Sequence, residues 1–210
     1  RHTRLRTVTG VQTCALPILA DTPLPLKAIH HVELLVGNAK QAAFFYRRAF
    51  GFSQLAYAGP ETGVKEQASY VLQQGDIRLV VSTPLSPSDP MAEHLHKHGD
   101  GVLDIAFLVD DVDASYAEAV QRGAQSALAP YDRNDSSGRI RRAKIRAYGD
   151  TLHSLISTAD YTGPFLPGYQ IRRKPAPSAG LERIDHIVGN VENGRMNDWG
   201  TYRSEEHTSE

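Results

Sequence analysis

The chain has 210 residues, which is enough for one domain of ordinary size or for one domain and part of another. Its formal net charge of −1 gives no electrostatic reason to expect nucleic acid or an anionic membrane as a partner. No apolar run approaches the roughly 20 residues that a membrane span needs. The single cysteine, Cys14, excludes an internal disulfide framework, so a reducing, cytoplasmic location is expected.

The sequences at both ends of the chain do not resemble part of a natural folded domain. Val8 to Ile18 resembles the conceptual translation of a sequencing adapter, and Arg203 to Glu210 resembles that of its counterpart on the other strand. Residues 1–18 and 203–210 are therefore predicted to be adapter-derived artefacts and are left out of the fold prediction. On this interpretation Cys14 is not native, and the end near Tyr202 is a break in the gene.

The first part of the chain has the pattern of a βαβββ unit. Ile29–Val36 is an apolar, β-branched run that predicts a strand. Ala39–Phe50 carries apolar residues at helical spacing and is followed by Gly51, a typical helix stop. Three strands are predicted next, the last two joined by a tight turn: Ser53–Ala58, Gln67–Gln73 and Ile77–Ser82.

A short helix is predicted over Asp89–His98. After it, the βαβββ order of elements is predicted a second time. Val102–Val109 predicts a strand, and Asp113–Gln121 predicts a helix with aspartates available as N-cap. The remaining predicted strands are Gln125–Ala129, Arg139–Ala147 and Thr151–Ser157. The expected fold class is α+β, with paired βαβββ modules over residues 26–158 that form a strongly curved eight-stranded sheet. The concave face of such a sheet can hold a ligand.

A second, incomplete domain is predicted after the first. Residues 159–180 are rich in proline and glycine without periodicity, which predicts a linker. Leu181–Val191 then predicts a strand that echoes the first one, so residues 181–202 are expected to start a second domain of the same build. Because the rest of its sheet is absent, this strand must dock on the first domain or stay mobile, and we expect it to stay mobile.

Histidines at equivalent places of the repeats are candidate metal ligands. His186 lies in the apolar run that precedes a Gly-Asn turn, and an imidazole on a rigid strand suits a metal, although spacing alone favours a structural histidine. His31 has the same place in the first repeat. Later strands offer it only Asp104 and His153 as partners, which favours a structural or surface role.

Three further histidines, His94, His96 and His98, alternate along the chain. On a strand they would share one face, but their neighbours favour a helix after Asp89-Pro90, which is expected to scatter them around its axis. A solvated helix end, with His98 near the negative end of the helix dipole, is therefore preferred to a metal site.

One basic cluster occurs between Arg139 and Arg146. Arg142, Lys144 and Arg146 share one face of the predicted strand and could in principle meet phosphates. Because no aromatic residues are interleaved with them, a solvated outer face is the preferred interpretation.

Seven short motifs occur in order between Leu26 and Trp199. They are Val36-Gly37-Asn38-Ala39, Tyr57-Ala58-Gly59-Pro60-Glu61-Thr62-Gly63, Ser69-Tyr70-Val71-Leu72-Gln73-Gln74-Gly75, His98-Gly99-Asp100-Gly101-Val102, Tyr148-Gly149-Asp150-Thr151, Tyr161-Thr162-Gly163-Pro164-Phe165-Leu166-Pro167-Gly168 and Asp185-His186-Ile187-Val188-Gly189-Asn190-Val191. Together they resemble the 4-hydroxyphenylpyruvate dioxygenase family of the vicinal oxygen chelate (glyoxalase-like) superfamily. The part covered is that family's N-terminal domain and the first strand and turn of its C-terminal domain.

This resemblance implies an oxidoreductase of tyrosine catabolism, a non-haem iron dioxygenase that converts 4-hydroxyphenylpyruvate and O₂ to homogentisate and CO₂. In that family the C-terminal barrel holds Fe(II) through two histidines and one glutamate, which leaves positions for the 2-oxo acid substrate and O₂. The resemblance makes His186 the first of these ligands, and the other two would lie downstream of this sequence. We therefore expect the chain alone to retain no iron and to be inactive, with no catalytic residue of its own.

Other expectations follow from the resemblance. The family often associates through its N-terminal domain, which gives some reason to expect a homo-oligomer, with neither nucleic acid nor membrane as partner. Two alternative functions stay open. A 4-hydroxymandelate synthase resembles the dioxygenase closely and uses the same substrate, and a non-catalytic small-molecule-binding protein of the superfamily would have the same fold.

Overall fold

A computed structural model describes residues 24–199, so both segments predicted to be adapter-derived, and Cys14, lie outside the described residues. The described part forms one nine-stranded sheet with three α-helices. The elements are β1 Leu26–Leu35, α1 Ala39–Ala49, β2 Ser53–Ala58, β3 Gln67–Gln74, β4 Ile77–Pro84, α2 Pro90–His98, β5 Gly101–Val109, α3 Val112–Gln121, β6 Ser126–Asp135, β7 Gly138–Arg146, β8 Leu152–Ser157 and β9 Gln170–Lys174. Within residues 24–199, no helix has the length and apolar character needed to cross a membrane.

Short polar side chains start the helices where the sequence places them. The side chains of Asn38, Asp89 and Asp111 accept hydrogen bonds from backbone N–H groups in the first turns of α1, α2 and α3. These N–H groups have no partner inside the helix, so each cap satisfies a donor that would otherwise be unpaired. Each helix therefore begins at the residue that directly follows its capping side chain.

The sheet confirms the predicted pair of modules. Its strand order is β6-β7-β8-β5-β1-β4-β3-β2-β9, in which β1 to β4 form one half and β5 to β8 the other. Within each half the first and last strands are parallel neighbours, and the antiparallel pairing of β1 with β5 joins the halves. The two halves are thus related as the repeated sequence pattern predicts.

The two faces of the sheet bury different sets of side chains. On β4, Val81 packs with Ala43 of α1, whereas the adjacent Val80 packs on the opposite face with Ile140 and Phe165. This alternation follows from the two-residue period of a strand. Helices α1 and α3 cover one face, and the other face curves around a cavity.

Part of the segment predicted as a linker packs against the domain. Phe165 and Leu166 are buried in the core, and β9 pairs antiparallel with β2 at the edge of the sheet, which is why the sheet has nine strands and not eight. The segment predicted as a linker therefore contains a strand and two core residues that the sequence analysis did not predict. Proline and glycine punctuate the segment, but its apolar side chains find a surface to cover and β9 satisfies an otherwise exposed strand edge.

The segment that follows also docks, although it was expected to form a mobile strand. Residues 181–192 contain no strand. Ile184 packs against the cluster beneath α1, and the carbonyl of Glu182 accepts a hydrogen bond of 2.8 Å from the backbone N–H of Asp76. Gly75 permits this approach, because a side chain there would meet the Glu182 carbonyl oxygen at 2.5 Å.

The side chain of Gln74 holds this docked segment. It is 5% exposed, its amide nitrogen donates to the Phe50 carbonyl at 2.6 Å, and its oxygen accepts from the backbone N–H groups of Ala179 at 2.7 Å and Leu181 at 3.3 Å. The Ser178 hydroxyl donates to the same oxygen at 2.7 Å. The buried side-chain amide of Gln74, the last residue of β3, therefore ties the hairpin of β3 and β4 to residues 178–181.

We expect Gln74→Leu to lower the free energy of unfolding by about 1–3 kcal/mol, because the buried backbone groups lose their partner while the side-chain volume is kept. Urea unfolding measures the loss, and hydrogen exchange should show deprotection of the Ala179 and Leu181 amides. The matched control is Gln73→Leu, because among residues 24–199 the Gln73 amide bonds only the nearby Gly75 carbonyl. Equal hydrogen-exchange protection of the Ala179 and Leu181 amides in both variants would contradict the proposal that Gln74 holds residues 178–181.

Candidate functional site

A cavity of about 790 Å³ lies on the concave face of the sheet. Strands β1 and β7 supply polar side chains to it, including His31, Glu33 and Lys144, and α2 and residues 165–169 form other parts of its wall. This volume is within the range of small-molecule sites, which are usually apolar with a few well-placed polar groups. The predicted concave face is therefore present in the structure, and it encloses a cavity of this size.

A buried carboxylate organises the floor of the cavity. Asp104 on β5 is fully buried, and its Oδ2 accepts from Arg142 Nη2 at 2.9 Å, the Ser154 hydroxyl at 2.6 Å and Lys144 Nζ at 3.1 Å. Its Oδ1 accepts from the Ser154 backbone N–H at 3.0 Å. Burial by itself raises the pKa of Asp104, but Lys144, Arg142 and the Ser154 hydroxyl outweigh it and hold that pKa well below its usual range.

The location of the basic face corrects the sequence interpretation. Arg142, Lys144 and Arg146 line the cavity, so the expected outer position of this face is wrong; Arg142 is only 7% exposed, whereas Arg146 at the end of β7 stays exposed. The alternate residues Arg139 and Arg141 lie outside, where they pair with surface aspartates. The sequence feature that could have predicted the inward direction of these cations is Asp104, the one charged residue of the apolar β5. A buried carboxylate requires cationic partners.

Two adjacent histidines are buried beside the cavity, and His31 is part of its wall. The Nδ1 atoms of His30 and His31 are 2.7 Å apart, and both rings contact Phe165 at centroid distances of 5.5 and 5.1 Å. Burial, followed by the charges of Arg78 and Arg142, lowers the pKa of His30 to about 4. Burial and the neighbouring His30 hold the pKa of His31 well below its usual range. His31 thus lies where a neutral structural histidine is stable.

The structure places His186 away from this cavity. Its side chain is 43% exposed, and its Nδ1 is 2.9 Å from Asp185 Oδ2. Within residues 24–199, no third histidine, cysteine or carboxylate joins these two residues in a group able to hold a metal. Within the described part of the chain, His186 therefore lacks the further ligands that a metal site would need.

A different trio of possible ligands comes together at the end of α2. The ligand atoms of His94, His98 and Asp150 all lie within 4.8 Å of one another, and His98 Nε2 is 2.7 Å from Asp150 Oδ2. The helix predicted here is confirmed, but it does not scatter these histidines. Residues four apart share one helix face, so His94 and His98 are neighbours and only His96 points elsewhere.

We expect Asp104→Asn to lower the free energy of unfolding by about 3 kcal/mol, because it removes the counter-charge of the buried Arg142 and of the half-buried Lys144. The matched control is Asp110→Asn, since Asp110 pairs with Lys27 at the surface and its loss should cost less than about 1 kcal/mol. Denaturant unfolding of both variants measures the difference. Equal, small losses would contradict the structural importance of Asp104.

The low pKa of His30 predicts a loss of stability in mild acid. Below pH 6.5 the unfolded chain takes up a proton at His30, whereas the folded chain does so only near pH 4. The free energy of unfolding should therefore fall between pH 6.5 and 4, by about 3 kcal/mol from this residue. Plots of unfolding free energy against pH should be shallower for His30→Gln than for the parent chain in this window. If the unfolding free energy of His30→Gln falls with pH as steeply as that of the parent chain, the low pKa given to His30 is refuted.

Comparison with known proteins agrees with the fold. Residues 28–148 match the sequence profile of the Glyoxalase/Bleomycin resistance protein/Dioxygenase superfamily. The chain is 45% identical over 189 residues to a protein of Neurospora crassa and 44% identical over 181 residues to one of Danio rerio, both named 4-hydroxyphenylpyruvate dioxygenase. These alignments cover 79% and 81% of this chain but 46% of each relative, so the chain spans about half the length of the curated relatives it matches.

Solved structures give the same picture. A triple mutant of 4-hydroxymandelate synthase from Streptomyces coelicolor matches with a TM-score of 0.74 and 29% identity, over 86% of this chain and 52% of that one. A methylmalonyl-CoA epimerase from the same organism matches with a TM-score of 0.53 and 22% identity, over 65% of this chain and 99% of that one, which shows the fold alone. The matched profile covers more than half of the 210 residues and the sheet consists of two joined βαβββ modules, and the chain therefore belongs to the Glyoxalase/Bleomycin resistance protein/Dioxygenase superfamily.

Proposed function

We propose that the chain is the N-terminal domain, with an adjoining segment, of a 4-hydroxyphenylpyruvate dioxygenase. The whole protein would convert 4-hydroxyphenylpyruvate and O₂ to homogentisate and CO₂ in tyrosine catabolism. The observation that carries the proposal is the 40–45% identity, over 76–81% of this chain, to curated relatives of that name. The seven ordered motifs support it independently of the fold.

The described residues around His186 do not by themselves fit an iron centre. His186 is the position that the family resemblance assigns, and it has Asp185 as its only neighbouring carboxylate within the described ranges. A single imidazole cannot hold Fe(II) tightly against water, because affinity depends on several ligands with fixed geometry. We therefore assign this chain no step of the oxygenation and propose that His186 becomes a ligand only when the whole protein supplies two more.

This chain would instead contribute the support for the catalytic domain. The arm of residues 159–180 is anchored through β9 and the buried Phe165 and Leu166, and Gln74 holds the residues that follow it. An anchored arm restricts where the segment containing His186 can lie relative to the first domain. We propose that this restriction positions the start of the catalytic domain in the whole protein, whose other partners would be the 2-oxo acid and O₂.

A 4-hydroxymandelate synthase is the second candidate. The observation in its favour is the structural match over 86% of this chain. The lower identity of that match, 29% against 45% for the Neurospora crassa dioxygenase, makes it the weaker of the two.

We expect the 210-residue chain to show no Fe(II)-dependent O₂ consumption with 4-hydroxyphenylpyruvate, because its described residues offer iron a single family-assigned ligand. The whole protein, obtained by reading genomic DNA beyond the codon for Tyr202, should consume O₂ and form homogentisate. An oxygen electrode and chromatography of the products measure both. In the whole protein, His186→Ala should lose bound iron and activity, while the matched His96→Ala should keep them.

Three results would overturn parts of this proposal. Turnover by the 210-residue chain would refute the account of the ligands. Formation of 4-hydroxymandelate by the whole protein would establish the second candidate. A genomic stop codon directly after Tyr202 would exclude the dioxygenase and favour a non-catalytic binding protein.

A further inference from the structure

We propose that His94, His98 and Asp150 form a divalent-metal site suited to Zn²⁺, at the mouth of the concave cavity. This site is separate from His186 and does not depend on the dioxygenase function. It would belong to the domain described here, whether or not a catalytic domain is attached.

Local structure places the three groups together. The cap at Asp89 and Pro90 at the first helical position start α2, and Gly99 with φ of 72° ends it, so His94 and His98 occupy its last two turns on one face. Their ring centroids are 4.6 Å apart. Asp150 lies in the tight turn between β7 and β8, which the Thr151 hydroxyl stabilises by donating to the Tyr148 carbonyl at 2.6 Å.

The distances are close to those that a metal requires. Zn²⁺ bonds imidazole nitrogen and carboxylate oxygen at about 2.0–2.2 Å, so tetrahedral ligand atoms are about 3.4 Å apart. In the structure the three ligand atoms lie within 4.8 Å of one another, with His98 Nε2 and Asp150 Oδ2 at 2.7 Å. Rotamer shifts on the order of 1 Å would therefore allow all three to bind one ion. The side chains of His98 and Asp150 are 36% and 41% exposed, which leaves such shifts free and gives an ion access.

The charges around the trio explain how the site is held without an ion. Lys97 Nζ lies 2.6 Å from Asp150 Oδ2 and supplies the positive charge that a metal would bring. The C-terminal end of α2 also favours a cation, because the helix dipole is negative there. Metal binding would displace the Lys97 ammonium and replace the hydrogen bond between His98 Nε2 and Asp150 Oδ2.

The site opens onto the cavity. His94 and Asp150 belong to the cavity wall, so an ion held by the trio would lie beside the cavity. A site with three protein ligands and an open position is the arrangement that allows a metal to bind a further small molecule. A metal there would thus add an anchoring point for a ligand held by the basic floor around Lys144.

The test is Zn²⁺ titration of the chelator-treated 210-residue chain by calorimetry, with Co²⁺ absorption as a probe of tetrahedral geometry. Other residues of the chain can also bind Zn²⁺, so the signal is the difference between variants and the parent. His94→Ala and His98→Ala should each weaken binding at this site by at least about tenfold and remove the tetrahedral Co²⁺ bands. The matched control, His96→Ala on the same helix, should leave affinity and spectrum unchanged.

A second variant distinguishes a metal site from a simple ion-pair cluster. Lys97→Ala should tighten Zn²⁺ binding, on the order of threefold to tenfold, because it removes a cation that competes for Asp150. Circular dichroism and thermal unfolding show whether each variant is folded, and Asp150→Asn, which keeps the side-chain size, should weaken binding if an alanine variant unfolds. The proposal is overturned by equal affinities of His94→Ala, His98→Ala and His96→Ala, by the absence of saturable binding, or by weaker binding in Lys97→Ala.

Discussion

The antiparallel pairing of β1 with β5 is the contact on which the rest of the structure depends. It joins the two βαβββ modules, and among the described strands no other pair connects the two halves of the sheet. Its register sets Glu33 directly opposite Asp104, and two like charges in such a cross-strand pair are unfavourable. Arg142 and Lys144 of β7 offset this cost at Asp104, while the Ser82 hydroxyl donates to Glu33 at 2.7 Å. The junction between the modules and the polar floor of the cavity are therefore one feature.

This arrangement explains why a cavity persists in a sheet that could otherwise close on itself. Charged side chains cannot be packed against one another without counter-charges, and their hydration favours a space that admits water. Apolar residues complete the wall on the side of the arm, where Phe165 covers His30 and His31. The result is a pocket with both polar and apolar walls, and small-molecule sites likewise combine apolar surface with a few placed polar groups.

The arm of residues 159–180 and the segment after it show how local and tertiary preferences can differ. Their composition opposes regular structure, yet the edge of β2 and the amide of Gln74 offer backbone partners that are better than water alone. The same chain with a second domain could place Ile184 and His186 in a strand of that domain's own sheet. Docking of this segment here therefore reflects the surface that the first domain makes available.

Sequence alone determined the order of the elements, because strand and helix periodicities, caps such as Asn38 and glycines after helices act within a few residues. It also determined that the unit repeats, and so the class of the sheet. It did not determine which residues meet across the fold. The pairing of Asp104 with Arg142, the inward direction of Lys144 and the meeting of His94 and His98 with Asp150 join residues distant in the sequence. The ninth strand was missed for the same reason, since β9 is a strand only because the edge of β2 lies beside it. Contacts of this kind depend on register, curvature and available surface, which exist only once the chain has folded.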